Sequence, residues 1–315
     1  MRALEGRLPD HVLNTGDPTR ARYPDEEGVV ADDHGVRVFF EVYGDSPDVV
    51  CLLPPWALLH SRVWRGQIPY LARHFRVITI DPRGNGRSDR PLQRTAYSRA
   101  AHVADVVRVL DRLGVEEAMM ISASPRGALL LALCAAHPDR VRAAVFITPQ
   151  LWIEPSFARP FSSGEHTRYE GMAKMNPTYW RRDYRGFVEW FARWFGSHPY
   201  STRQIEETVR HALDTDAETL IRATVGFEMF ERGEALRLAA QIRCPVLVTQ
   251  NGGQAKYPKH TSGPLAEASG GRLHVFAGLG PNVPGRWPVA MNLVLREFLE
   301  SVRAGTAGGR SPVEA

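Results

Sequence analysis

Residues 118–127 read Ala118-Met119-Met120-Ile121-Ser122-Ala123-Ser124-Pro125-Arg126-Gly127, and an apolar helical run, Ala128–Ala136, follows directly. An apolar segment, a tight turn and a helix-forming run in this order predict a strand–turn–helix unit. Such a unit presents a nucleophilic serine on a strained turn when it carries G-x-S-x-G. Here Ser122 and Arg126 stand where the glycines around Ser124 belong, and Gly127 comes one place later. Counting without gaps from Ala118–Ile121, and backwards from His137-Pro138, places Ser124 at the turn. A register shifted by one places Pro125 there and makes Gly127 the second glycine.

Outward from this unit, strand and helix signals alternate. Upstream, strands are expected at Gly28–Ala31, Val36–Tyr43, Val49–Leu53 and Val77–Ile80, with a helix over Trp64–Phe75 and an amphipathic one over Ala101–Leu113. Downstream, strands are expected at Ala143–Ile147, Cys244–Thr249 and Leu273–Phe276, and helices at Gly263–Ala268 and Val289–Val302. This rhythm predicts an α/β fold: a mostly parallel, doubly wound sheet with helices on both faces. The rhythm stops between residues 151 and 241, where aromatic-rich helical segments replace buried strands. The expected organisation is a flexible arm (1–22), a core (23–150 and 242–303), an inserted helical cap (151–241) and a disordered tail (304–315). The cap aromatics read as that subdomain's own core and, for a few of them, as walls of an apolar pocket.

Composition narrows the function. The chain has 315 residues, 43% hydrophobic and 23% charged, the profile of an ordinary globular protein. The net charge of +4 is spread along the chain, and its densest run, Arg181-Arg182-Asp183-Tyr184-Arg185, is interrupted by an acid. That pattern argues against nucleic acid as a partner. No apolar run is long enough to span a membrane. The opening residues lack a signal-peptide core, and Cys51, Cys134 and Cys244 each sit in an apolar pattern as buried free thiols. A cytoplasmic location follows as the expectation. The eleven histidines show no metal-ligand spacing, so neither a metal nor another cofactor is expected. The run Asp81-Pro82-Arg83-Gly84-Asn85-Gly86-Arg87-Ser88 lacks the Lys of a phosphate loop and reads as a structural turn.

Several segments carry a family resemblance. VYGDSPDVVCLLPPW (42–56), HSRVWRGQIPYLARHFRVITIDPRGNGRSDRP (60–91), HPDRV (137–141), YWRRDYRGF (179–187), IRCPVLV (242–248) and NLVLREFLE (292–300) occur in order. Over about residues 24–302 the chain resembles α/β-hydrolase-fold proteins of the proline-iminopeptidase, epoxide-hydrolase and C–C-hydrolase type. It is closer still to actinobacterial α/β-hydrolase modules found joined to adenylate cyclase domains. The resemblance implies the α/β-hydrolase fold, a cap and a Ser-His-acid triad.

Set on that pattern, the triad is degenerate. The family's general base follows the last strand in G-x-G-H, where this chain reads Gly278-Leu279-Gly280-Pro281-Asn282. The acid loop reads Asn251-Gly252-Gly253-Gln254, and the end of the preceding strand reads Thr148-Pro149-Gln150, both without a carboxylate. The residue after the nucleophile ordinarily lends its N–H to the oxyanion hole, and Pro125 has none. Losing one such donor costs about 10²–10³ in rate. The other donor loop reads Pro54-Pro55-Trp56, and Trp56 keeps an N–H. Arg126 reads either as an outward surface arginine or as an anion-binding group beside a helix N-terminus.

The resulting expectation is an enzyme performing non-hydrolytic chemistry (isomerisation, cyclisation, elimination or addition) on a small apolar metabolite. Ser124 and His60 are the candidate catalytic residues, with His260 and Glu154 as further acid–base groups. Trp56, Pro125, Arg126, Tyr179, Trp180 and Asn282 are the candidate substrate contacts. A ligand-binding pseudo-hydrolase acting as a sensor, and an ester or C–C hydrolase with a relocated base, remain as alternatives.

Overall fold

The strand that ends at Ser124 sits inside one continuous sheet. The computed structural model describes residues 21–152, 168–196, 202–252, 261–280 and 282–307. Its strands are β1 (Glu26–Ala31), β2 (Arg37–Tyr43), β3 (Val49–Leu52), β4 (Arg76–Ile80), β5 (Ala118–Ala123), β6 (Val141–Ile147), β7 (Val246–Asn251) and β8 (Arg272–Phe276). They pair in the order β1-β2-β4-β3-β5-β6-β7-β8. β1 and β2 are antiparallel to their neighbours, and every pairing from β4–β3 onwards is parallel. The expected strands are all present, within two residues at each end.

The helices are α1 (Ile68–Leu71), α2 (Arg99–Arg112), α3 (Gly127–Ala136), α4 (Pro177–Arg182), α5 (Tyr184–Phe195), α6 (Thr202–Leu213), α7 (Ala217–Gly226), α8 (Arg232–Ala239), α9 (Ser262–Ser269), α10 (Val283–Arg286) and α11 (Pro288–Arg303). Local chemistry sets several starts. The side chains of Ser98, Asn176, Asp183 and Asp216 accept backbone N–H groups at the first turns of α2, α4, α5 and α7, satisfying donors a helix leaves unpaired. The helix expected over Trp64–Phe75 does not form as one element. A 3-10 turn at Ser61–Trp64 is followed by α1 alone, because Gly66 and Pro69 interrupt the run. Gly66 serves a close approach: a Cβ there would meet the Pro288 ring of α11 at 2.9 Å.

Central strands are apolar on both faces, as a parallel sheet covered on both sides requires. Cys51, Ile78, Met120 and Phe146 join a core with α2 and α3, while Val50, Val77, Met119 and Val145 join another with α1 and α11. A third cluster belongs to the segment between β6 and β7, where Trp180, Phe187, Val188 and Phe191 pack with Ala57, Leu58 and Tyr97. Those three come from the loop after β3 and the turn before α2, so the inserted helices rest on the loops at the carboxyl ends of the strands.

The Asp81–Ser88 turn is consumed by its own structure. Asp81 accepts from the Ser61 and Arg87 amides, and Ser88 Oγ donates to the Asp81 carbonyl at 2.8 Å. Arg83 is buried and gripped by Asp105 through two 2.6 Å bonds and by Asp32 at 2.8 Å. Asn85 Nδ2 donates to the carbonyls of Ala57 and His211, tying the core to α6. Among the described residues no helix is long and apolar enough to cross a membrane. Residues 1–20 and 308–315, and the positions Glu154, Gln254, His260 and Pro281, lie outside the described residues.

Candidate active site

In an open α/β sheet, ligands bind beyond the carboxyl ends of the strands, and backbone strain collects at that edge here. Ser124 follows β5 at φ 54° and Thr148 follows β6 at φ 44°, while Asn282 opens α10 at φ 56°. They are the non-glycine residues with left-handed backbone among those described, and each lines a cavity at this edge. The left-handed region costs a residue with a Cβ roughly 1–2 kcal/mol, and such strain persists where surrounding structure holds it in place. The strained position is Ser124 and not Pro125, which settles the register of the turn.

Two cavities meet at Ser124. The larger, of about 300 Å³, is walled by Trp56, Phe191, Trp194, Phe227 and Met229, with Ser124, Pro125, Arg126, Thr148 and Gln150 among its other residues. The smaller, of about 130 Å³, shares Trp56, Ser124, Pro125, Phe191 and Phe195 and adds Arg62, Glu207, His211 and Asn282.

Trp56 links the loop after β3 to the inserted helices. Its Nε1–H donates to Thr224 Oγ1 at 2.9 Å, and its ring meets Phe191 edge-on, with centroids 5.8 Å apart. Gln150 N–H donates to the Ser124 carbonyl at 3.0 Å, bracing the turn from the strand beside it. Beside the loop where the family's acid is expected, Thr148 Oγ1 donates to Asn251 Oδ1 at 3.0 Å, a neutral pair.

Arg126 departs from the surface reading. The turn Ser124–Arg126 is 3-10, and it aims the side chain inward, where it is 2% exposed. Nε donates to the Pro55 carbonyl at 3.3 Å, Nη2 lies 3.4 Å from His102 Nε2, and the guanidinium sits 4.0 Å over the Phe227 ring. All three partners are neutral. Burial pushes the guanidinium down to about 9, which leaves it cationic at neutral pH. Burial, with Arg126 alongside, holds His102 well below the usual imidazole range. Its Nδ1–H donates to the Ser98 carbonyl at 3.0 Å, so Nε2 is the acceptor facing Arg126.

One expected catalytic residue and two expected contacts stand elsewhere. His60 lines neither cavity: its Nδ1 accepts from the Arg62 amide, its Nε2 lies 3.2 Å from Asp214 Oδ2, and its ring packs 4.4 Å from His211. Trp180 is fully buried behind Trp56, donating to the Lys174 carbonyl at 2.9 Å. Tyr179 stacks on Tyr169 and bonds Asp183. Both face the core of the inserted helices because α4 turns its apolar side there. Among the described residues, the histidine that shares a cavity wall with Ser124 is His211, on the buried face of α6. Helical spacing within Thr202–Leu213 marks that face, but nothing in the sequence says that it meets Ser124. Among the described residues, no group of three His, Cys, Asp or Glu side chains is placed to hold a metal ion.

Comparisons with known proteins agree with this architecture. Residues 48–225 match the family model described as alpha/beta hydrolase fold. The chain belongs to the α/β-hydrolase family. It is 31% identical over 144 residues to Epoxide hydrolase 3 of Siraitia grosvenorii, covering 45% of this chain and 45% of that protein. It is 29% identical over 252 residues to a Caulobacter protein named "Putative carbamate hydrolase RutD", covering 76% and 87%. The enol-lactonase structure from Burkholderia xenovorans superimposes with a TM-score of 0.72 at 18% identity, covering 87% of this chain and 100% of that one. These relatives are hydrolytic enzymes by name, and the last likeness is one of fold.

Proposed function

We propose that this protein is a small-molecule enzyme that works without an acyl-enzyme at Ser124. Its chemistry is isomerisation, cyclisation, elimination or addition on a small, largely apolar metabolite enclosed between the core (23–150 and 242–303) and the inserted cap (151–241). The observation that carries this reading is Pro125. A proline directly after the strained serine removes the backbone donor that acyl transfer places there. No histidine or carboxylate lines the larger cavity among the described residues, and a serine without a base is a weak nucleophile at neutral pH. In this reading Ser124 Oγ–H donates a hydrogen bond to the substrate, and Arg126 is the cation that orients it. The aromatic walls fix the orientation. The three unpaired cysteines fit a cytoplasmic setting.

Hydrolysis with a relocated base is the second reading. It is favoured by the hydrolase names of the relatives and by His211 sharing a cavity wall with Ser124. A fluorophosphonate probe followed by peptide mass spectrometry separates the two. Acyl-free chemistry predicts an unlabelled Ser124 and no activated-ester turnover above the uncatalysed rate. Stoichiometric labelling of Ser124, with ester turnover abolished by both Ser124→Ala and His211→Ala, establishes the hydrolase instead.

A further inference from the structure

Arg126 is the sole ionisable side chain among the described residues of the larger cavity wall. An arginine in that position is costly. Removing a cation from water carries a penalty of several kcal/mol that only good pairing offsets, yet among the described residues the partners of Arg126 are a carbonyl, a neutral imidazole and an aromatic ring. These neutral contacts hold the guanidinium in position without cancelling its charge. They occupy Nε and Nη2, and Nη1 carries no hydrogen bond among the described residues. The same wall carries the apolar side chains of Phe191, Trp194, Phe227 and Met229, and its polar members, such as Ser124, Thr148 and Gln150, are uncharged.

We propose that the cavity selects apolar carboxylic acids, with the ligand carboxylate paired to Arg126 and the hydrocarbon or aromatic body held among Phe191, Trp194, Phe227 and Met229. The inference rests on the reading of this cavity as the substrate site and adds the substrate class. A monoanion is the matching charge. One guanidinium neutralises one carboxylate, whereas a phosphate dianion would bring a second, uncompensated charge into an apolar enclosure. Geometry favours the same choice, since a guanidinium edge meets the two oxygens of a planar carboxylate. No carboxylate among the described residues pairs with Arg126, so substrate binding supplies a counter-ion and part of the binding energy is recovered from the burial of Arg126.

The test is equilibrium binding to the full chain, followed by tryptophan fluorescence and calorimetry, of 2-naphthoate, its neutral isostere 2-naphthamide and 2-naphthylphosphonate. The acid is expected to bind at least about tenfold tighter than the amide, as one charge-assisted pair provides, and tighter than the phosphonate at a pH where the latter is dianionic. Arg126→Met is expected to abolish the acid-over-amide preference while its Tm stays at or above that of the wild type. Arg126→Lys is expected to keep a reduced preference. Equal binding of acid and amide by the wild type, binding of neither, preference for the phosphonate, or a preference that survives Arg126→Met would each overturn the proposal. Labelling of Ser124 by a fluorophosphonate would instead overturn only the acyl-free chemistry and leave the binding preference standing.

Discussion

Arg126 Nη2 lies 3.4 Å from His102 Nε2, and the opposite nitrogen of that imidazole donates to the Ser98 carbonyl at 3.0 Å. The ring is thereby fixed as an acceptor toward a cation, in a place where its own protonation would set two positive charges together. The arrangement couples the acid stability of the fold to the cavity wall.

Because His102 is held well below 6.5 in the folded chain, the unfolded chain takes up its proton first as pH falls. Stability from this group is full above pH 6.5 and is lost below it, by up to about 1.4 kcal/mol per pH unit, until the folded-state value is reached. His102→Gln keeps an acceptor for Arg126 and cannot titrate. Urea midpoints recorded from pH 7 down to 5 should fall less steeply in this variant. Parallel slopes in the two proteins would refute the assignment.

Replacing Arg126 by Met exchanges a buried cation that no described carboxylate pairs for an apolar chain of similar reach. Such exchanges are neutral or stabilising by about 1–4 kcal/mol, so the urea midpoint of Arg126→Met should equal or exceed that of the wild type. A loss of more than about 1 kcal/mol would mean that the three neutral contacts outweigh the cost of burial.

The Arg83–Asp105 pair behaves in the opposite way, because both ends are buried and matched. Asp105→Ala leaves the guanidinium with Asp32 and a carbonyl, and should cost roughly 1.5–3 kcal/mol in chemical denaturation. The double variant Arg83→Met/Asp105→Leu should recover part of that loss. If the double variant is less stable than Asp105→Ala, the pair is not the source of the effect.

Ser124 carries its strain in the backbone, so the side chain alone does not relieve it. Ser124→Gly should be more stable than Ser124→Ala by roughly 1 kcal/mol, as glycine adopts φ 54° freely. The comparison needs only thermal unfolding of the two variants. Equal stabilities would indicate a backbone that relaxes once the hydroxyl is gone.

Trp56 and Thr224 tie the loop after β3 to α7 through the 2.9 Å hydrogen bond. Trp56→Phe and Thr224→Val should each destabilise by about 1 kcal/mol or more, and the double variant by less than their sum. Additive losses in the cycle would show that the two side chains act separately.

Much of the fold is legible in the sequence. Apolar runs four to seven residues long, separated by helical periods, mark the strands because a parallel sheet buries both faces. The placement of Trp56, Ser124, Pro125 and Asn282 followed from their position after strand runs, and these residues do reach the cavity edge. Tyr179 and Trp180 show where such reasoning stops. Aromatic spacing says that a helix face is buried but not what covers it, and here the rest of the inserted segment covers it. His60 fails for a related reason: a loop histidine's direction is set by its cap bond to Arg62 and its contact with Asp214, which lies 154 residues away in the chain.

Residue type and order along a local stretch were enough for the α/β-hydrolase fold and for a turn at Ser124-Pro125 in which the proline has no N–H, while the choice between the two registers of that turn came from the φ of Ser124. The tertiary structure decided the direction of Arg126. Its inward course requires the 3-10 turn at Ser124–Arg126, the Pro55 carbonyl, His102 and Phe227. Those partners come from three separate elements, so the burial of this charge is a property of packing between distant segments and not of the stretch that contains it.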